Sequence, residues 1–402
     1  MRRFTRIGWK AAWIGLAALV AALAVVPEQA GAIPAFARKY QFSCSTCHAP
    51  FPRLKPYGEE FGARGFRLAD PSQEPTRADY DVGDPLLKLP RDLPLAIRLE
   101  GYGAYNQDAQ AEADFETPWV FKILSGGPLS DRVSYFLYFI VERNETESLE
   151  DAWVQINDLF GSGVDLQFGQ FQVSDILFKR ELRLERTDYA MYQVRVGDAS
   201  PNLTYDRGII LLKSLPGGWE TAFEVVNGNG IPKGELDNDT RKNLALRVGG
   251  TWGKVRAGVF GYWGRESPEG KPTNETTYLG PDLSVALGGN WAFNLQYLHR
   301  EDDNPFFDAD PGSPLFRVAP GDKVKTDGGF AELHFFPRGE DGRWALSALY
   351  NRVESDDPGA VVEVGSLTLN YLLARNIRVL TEVARDLDGN RTQASLGLVT
   401  AF

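Results

Sequence analysis

From about residue 95 to the C-terminus the chain alternates apolar and polar positions. In Trp291-Ala292-Phe293-Asn294-Leu295-Gln296-Tyr297, the side chains of Trp291, Phe293, Leu295 and Tyr297 share one face and those of Ala292, Asn294 and Gln296 the other. The same period of two runs through Leu244–Val248, Ser366–Tyr371 and Ile377–Val379. A period of two is the signature of β-strands. Sixteen strands are predicted, centred near residues 99, 120, 137, 154, 168, 209, 223, 247, 259, 282, 295, 331, 348, 368, 381 and 397.

A large soluble sandwich or propeller would also be all-β, but three features favour a transmembrane antiparallel β-barrel. The polar phase carries Arg247, Asn294, Gln296, Asn370 and Arg378 while the apolar phase is rich in aromatics, as a wet lumen and a lipid-facing girdle require. Connections alternate between short turns (near 127–131, 160–163, 216–218, 253, 288–290, 337–342 and 374–376) and longer polar loops (173–202, 228–241, 265–276, 301–323). The chain ends on Phe402, in phase with Leu396 and Leu398, like the terminal aromatic of outer-membrane barrels. An even strand number brings both barrel ends to one rim. The long loop 173–202 has the length to fold into the lumen.

The one long apolar run is N-terminal. Arg2, Arg3, Arg6 and Lys10 precede the apolar stretch Ala11–Val26, and Ala30-Gly31-Ala32 supplies small residues for cleavage. This predicts a signal peptide over 1–32, a small helical or irregular segment with a linker over 33–92, and the barrel over 93–402.

Composition narrows the chemistry. The 402 residues carry 43 Lys+Arg against 54 Asp+Glu, a net charge of −11, which excludes a nucleic-acid binder because phosphate recognition needs clustered cations. Two Cys exclude a disulfide scaffold, and three His leave little room for a multi-haem or multi-metal protein.

Those two cysteines stand in Cys44-Ser45-Thr46-Cys47-His48, the attachment spacing of a c-type haem. Two thiols three positions apart reach two vinyl groups of one porphyrin, and His48 is placed to coordinate the iron. A redox-active pair would want a thioredoxin-like context, which does not follow. A zinc site would want more ligands nearby, but the next His is at 299. One covalently attached c-type haem is therefore predicted, bound by Cys44, Cys47 and His48. A short helix is predicted over Ile33–Tyr40, with Phe36 and Tyr40 on one face, and a second around Tyr57–Phe61, ending at Gly65. Phe42, Phe51 and Phe66 could cover porphyrin, and Arg38, Lys39, Arg53, Lys55, Arg64 and Arg67 could pair its propionates, although surface charges are usually just solvated. The segment is too small to bury a porphyrin alone and contains no Met and no second His, so walls, and a distal ligand if there is one, come from the barrel.

Met191 and His334 are the candidate distal ligands. His299 continues the lipid-facing phase of Trp291–Tyr297 and fits an interfacial girdle better. His334 shares a phase with Glu332 and is expected to face the lumen. Met191 lies in the long loop, where packing beside Tyr189 and Tyr192 is the simpler role. A water, a backbone group or an open site remain alternatives. The acidic runs at Glu145–Asp151, Glu301–Asp310 and Glu354–Asp357 read as solvated outer loops able to attract divalent cations.

Together, the signal peptide, Ile33-Pro34-Ala35-Phe36-Ala37-Arg38, Cys44-Ser45-Thr46-Cys47-His48 and a barrel of about sixteen strands resemble the fused outer-membrane cytochrome c–porin family, which includes the iron oxidases of Fe(II)-oxidising bacteria. At residue level the resemblance is specific only over 33–67. It implies single-electron transfer across the outer membrane, from an extracellular donor such as Fe(II) to a periplasmic soluble cytochrome, in the manner of an iron(II):cytochrome c oxidoreductase. The resemblance leaves the haem segment in the lumen or on the periplasmic side. The alternative is a diffusion porin, since Gly169-Gln170-Phe171 and the loop after it resemble phosphate-selective porins, with the haem segment gating, anchoring or sensing.

Overall fold

The computed structural model describes residues 35–402 apart from 71–72, 74–79, 81, 85, 88–93, 111, 143–146, 233–236, 238, 310–317 and 319–320. The signal-peptide reading of 1–32 and most of the linker lie outside the described residues.

Sixteen strands form one closed antiparallel barrel: β1 Leu95–Asn106, β2 Ala113–Pro128, β3 Val133–Glu142, β4 Glu147–Ile156, β5 Val164–Gln172, β6 Tyr205–Leu215, β7 Trp219–Val226, β8 Asn243–Trp252, β9 Val255–Glu266, β10 Asn274–Leu287, β11 Trp291–Asp302, β12 Val324–Phe335, β13 Trp344–Ser355, β14 Val362–Ala374, β15 Ile377–Asp386 and β16 Arg391–Ala401. All sixteen expected centres fall inside these strands. Each strand pairs with its sequence neighbours, and β1 closes on β16 from Arg98↔Ala401 to Asn106↔Gln393. Both barrel ends therefore meet at one rim, where Ile97 and Phe402 exchange backbone hydrogen bonds of 2.7 and 2.9 Å. The short turns from even to odd strands share that rim.

The burial pattern is inverted relative to a soluble barrel. Along β11 the outward positions Trp291, Leu295 and Tyr297 are exposed and apolar, whereas Asn294, Gln296, Arg300 and Asp302 are buried. An apolar exterior over a polar interior is stable only where lipid replaces water outside. Outward aromatics pair across strands near the short-turn rim: Trp219 with Trp252, Trp291 with Phe335, and Trp344 with Tyr371, at centroid distances of 4.9, 4.3 and 4.4 Å. This is the expected interfacial belt.

The lumen is not evenly wet. The connection between β5 and β6 folds inward and packs Val173, Leu177, Tyr189, Met191, Tyr192 and Val196 against Phe260, Tyr262, Phe330, Leu349 and Val353 of the lumen wall. Part of the interior is thus a dry core, because the loop brings its own apolar side chains to cover an apolar wall. Leu184 reaches farther, to Ala292, Phe336 and Ala345 beside the short-turn rim. The loop descends most of the barrel's depth before returning to the opposite rim, where the Asp357 carboxylate accepts from Gly197 N–H at 2.7 Å.

Three short helices precede the barrel: α1 Ala35–Tyr40, α2 Cys44–Cys47 and α3 Pro56–Ala63. Pro56 opens α3 at a position where its missing N–H costs nothing. Gly65, at φ 68°, ends it: Gly65 N–H donates to Gly62 O at 3.0 Å and Phe66 N–H to Phe61 O at 2.9 Å. That bond pair is a Schellman cap, with Phe61 against Phe66 as its apolar contact.

Candidate functional site

Ser43 caps α2, its side chain accepting from Ser45 N–H, and the helix lasts a single turn. Residues three apart on a helix share a face, so the turn sets the two thiols side by side. Both thiols are free and half-buried, and burial is the main cause that pushes their pKa up. His48 ends the turn, its N–H donating to Cys44 O at 2.8 Å. The His48 Nδ1 lies 2.9 Å from the carbonyl oxygen of Pro52. This contact favours the proton on Nδ1, which leaves the lone pair on Nε2. Burial holds the ring's pKa below the ordinary imidazole value, favouring the neutral form that ligates a metal. α3 packs backbone to backbone on the motif. A Cβ at Gly58 would stand 2.5 Å from Cys47 O. These residues fit a covalently held haem: two thiols on one face, an oriented imidazole, and aromatic neighbours in Phe51 (5.3 Å from His48, edge-on), Phe42 and Tyr57.

The segment lies across the short-turn rim. On one side Arg53 pairs with Glu340 (2.9 Å) and Lys55 with Asp341 (2.7 Å), both in the β12–β13 turn. On the other, Arg67 donates to Ser130 O, Gln155 donates to Ala63 O at 2.7 Å, and Phe66 stacks on Trp153 at 6.1 Å. Arg38 donates to Leu95 O at the start of β1. Phe51 packs inward against Tyr102, Leu380 and Val399, with the Arg98 guanidinium 5.8 Å from its ring. The remaining candidates for propionate pairing, Lys39 and Arg64, bond to Tyr40 (2.9 Å) and Glu60 (2.5 Å). The six cations thus all contact protein groups, four of them tying the segment to the barrel.

His299 faces outward near the opposite rim, bonded to Asp327 at 2.8 Å. Met191 is buried in the loop core, its sulfur close against Gly328. Gly328 and His334 are six residues apart on β12, roughly 20 Å of strand at about 3.3 Å per residue, so Met191 lies far up the barrel from the rim that carries the motif. His334 faces the lumen at that rim and is 2 % exposed. Its Nδ1 is 2.8 Å from Ser347 Oγ, and its Nε2 is 3.0 Å from Glu332.

The sequence reading missed three features. Glu185, from the tip of the inward loop, lies 3.6 Å from His334 Nδ1, forming a buried Glu185–Glu332–His334 cluster. Only the shared phase of Glu332 and His334 hinted at it. A cavity of about 570 Å³ lies between the loop and the β1, β2, β15, β16 wall, bordered by Asp114, Glu116, Trp119, Arg186, Thr187 and Glu382. In it Arg186 pairs with Glu116 and lies over the Trp119 ring at 4.2 Å. Finally, the acidic runs are not simply solvated. Asp302 is buried and pairs with Arg300 at 2.6 Å, Asp151 is 4 % exposed inside the barrel, and Asp356 and Asp357 accept from Lys325 and Gly197 backbone N–H. The run of acidic letters concealed that strand phase sends some of these side chains inward.

No family model matches the sequence, and no curated protein matches it. Solved structures do. An anion-selective porin from Comamonas acidovorans aligns with a TM-score of 0.56 at 12 % identity, covering 77 % of this chain and 99 % of the porin. The fold is that of the outer-membrane porins. The outer-membrane protein OmpT of Vibrio cholerae, with loop L8 deleted, aligns at 0.54 and 12 % identity over 77 % of this chain and 99 % of its own. The outer-membrane channel DcaP of Acinetobacter baumannii aligns at 0.53 and 11 % over 77 % and 97 %. The matched share is about what residues 95–401 would fill by themselves.

Proposed function

We propose that this protein is an outer-membrane barrel with one covalently attached c-type haem at its periplasmic rim, and that it passes single electrons across the membrane from an extracellular donor such as Fe(II) to a periplasmic cytochrome. The observation that carries this reading is the Cys44–His48 turn, with its imidazole oriented by Pro52 O, seated in the short-turn mouth of a porin-type barrel. When bound, haem supplies a one-electron couple, which suits Fe(II) better than two-electron organic chemistry. Cys44 and Cys47 hold the group, and His48 presents a neutral nitrogen to it. Phe51 and Phe66 pack against the barrel wall, and the ion pairs to the β12–β13 turn fix the segment to the barrel. The test is attachment: in cells that mature c-type cytochromes, the full chain should carry haem that survives denaturing electrophoresis. The Cys44→Ser/Cys47→Ser variant should fold but carry none. Wild-type barrel without haem would overturn the reading.

A diffusion porin is the second reading, favoured by the fold likeness and by the polar cavity beside Arg186 and Glu116. Its haem segment would gate, anchor or sense. Asp114, Glu116 and Glu382 against Arg186 give that cavity an acidic lining, which favours cations. Planar-bilayer recordings separate the two: large steady conductance supports the porin, and a closed channel supports the electron-transfer reading.

A further inference from the structure

The Glu185–Glu332–His334 cluster joins two elements far apart in sequence. Glu332 and His334 stand two apart on β12 and so share its lumen face. Glu185 is delivered by the loop that descends through the barrel. All three side chains are buried, and one ligand atom from each lies within 4.8 Å of the others. Ligands about 2.1 Å from a common ion stand roughly 3–4 Å apart, so modest side-chain movement closes the ring.

A second, independent observation points to a ligand. Both Glu185 oxygens are buried and neither makes a hydrogen bond of good geometry, the His334 Nδ1 standing 3.6 Å away. The residue is 5 % exposed, and its carboxylate is aimed at His334. A buried carboxylate held only by so long a contact is costly, and such groups are ordinarily closely paired or bound to a metal. The nearby buried cation Arg378 donates to Leu184 O at 2.9 Å, and no bond from it to Glu185 is formed. The other two members are already braced: Asn294 donates to Glu332 at 2.6 Å, Tyr189 donates to Glu332 at 3.0 Å, and Ser347 bonds His334. Such outer partners orient metal ligands.

We infer that Glu185, Glu332 and His334 form a lumenal site for one divalent transition-metal ion. Two carboxylates and one neutral imidazole bring two negative charges, matching a 2+ ion. The mixed nitrogen and oxygen set suits Mn²⁺, Fe²⁺ or Zn²⁺ better than Mg²⁺ or Ca²⁺, which take oxygen alone. The site adjoins the N-terminal segment. The His334 ring lies 6.0 Å from that of Phe336, and the Arg53 guanidinium lies 5.4 Å from the same ring. Arg53 O accepts from Ala49 N–H, next to His48, at 2.8 Å. A role for this ion as a ferrous electron donor rests on the electron-transfer reading above, whereas binding does not.

The test titrates Mn²⁺ into the purified, haem-loaded full chain in detergent and reads free Mn²⁺ by electron paramagnetic resonance. One saturable ion per chain, displaced by Zn²⁺, is expected. Glu185→Gln and His334→Gln should each weaken it by roughly 10-fold or more, while Glu354→Gln, at an exposed outer position, leaves it unchanged. Heat-modified gel mobility verifies that each variant barrel is folded. Absence of a saturable site, or equal affinity in wild type and folded Glu185→Gln, overturns the inference. Reduction by Fe²⁺ without a Mn²⁺ site removes the site alone, and a Mn²⁺ site without reduction removes the electron-transfer reading alone.

Discussion

Arg53 of the N-terminal segment and Glu340 of the β12–β13 turn pair at 2.9 Å across 287 positions of sequence. With Lys55–Asp341 beside it, this contact holds the Cys44–His48 turn against the rim. The pairs are partly solvated and worth little singly, about 0–1 kcal/mol each. Most of the seating therefore rests on Phe51 and Phe66, which enter apolar pockets of the wall. Releasing the segment takes more than breaking one ion pair.

His48→Ala is expected to leave the thioether bonds in place and remove the proximal ligand. The Soret band should shift, and added imidazole should restore the wild-type spectrum. A spectrum unchanged from wild type would show that another group ligates the iron.

Gly58→Ala places a methyl 2.5 Å from Cys47 O and 2.9 Å from Leu54 Cδ2. Backbone cannot yield as a flexible side chain can, so about 1–3 kcal/mol of overpacking falls on the contact between α3 and the haem motif. The expected outcome is less haem per folded barrel, read from the ratio of haem to protein absorbance, with barrel gel mobility unchanged.

Met191→Ala empties a fully packed position in the loop core. A loss of about 2–5 kcal/mol is expected, measured as a lower unfolding temperature of the barrel. The haem spectrum should not change, because Met191 packs against Gly328, far from the rim that carries Cys44.

Acid should loosen the segment. Burial lowers the His48 pKa in the folded state, so below the ordinary imidazole value of about 6.5 the unfolded segment binds more protons than the folded one. The contribution of His48 is fully present above that value and is lost as pH falls toward the folded pKa. In the haem-free Cys44→Ser/Cys47→Ser variant, proteolysis within 35–68 should accelerate on acidification from pH 7.5 to 5.5, and His48→Gln should flatten that dependence.

The barrel was legible because strand phase is written locally. Trp291 and Leu295 face outward and Asn294 and Gln296 inward wherever the strand sits, and the turn lengths mark the two rims. The single helical turn that sets Cys44 and Cys47 side by side was legible because three-residue spacing places both thiols on one face. The inward loop could be suspected from length, yet its apolar core could not, since Phe260 and Leu349 look like any strand residues until the loop covers them. Glu185 is the extreme case. Nothing within fifty residues of it forecasts a partner at 332 or 334, because only the depth of the loop's descent brings them together. Asp151 and Asp302 read as surface charge for a different reason: the run of acidic letters hid the strand phase that turns both inward.

Electron entry is read by mixing the oxidised, detergent-solubilised full chain with anaerobic Fe²⁺ and following the visible spectrum by stopped flow. Rapid appearance of a reduced c-type spectrum is the expected outcome. A protein that dithionite reduces to that spectrum while Fe²⁺ leaves it oxidised would contradict ferrous iron as the donor, and a preparation with no covalent haem would contradict electron transfer itself.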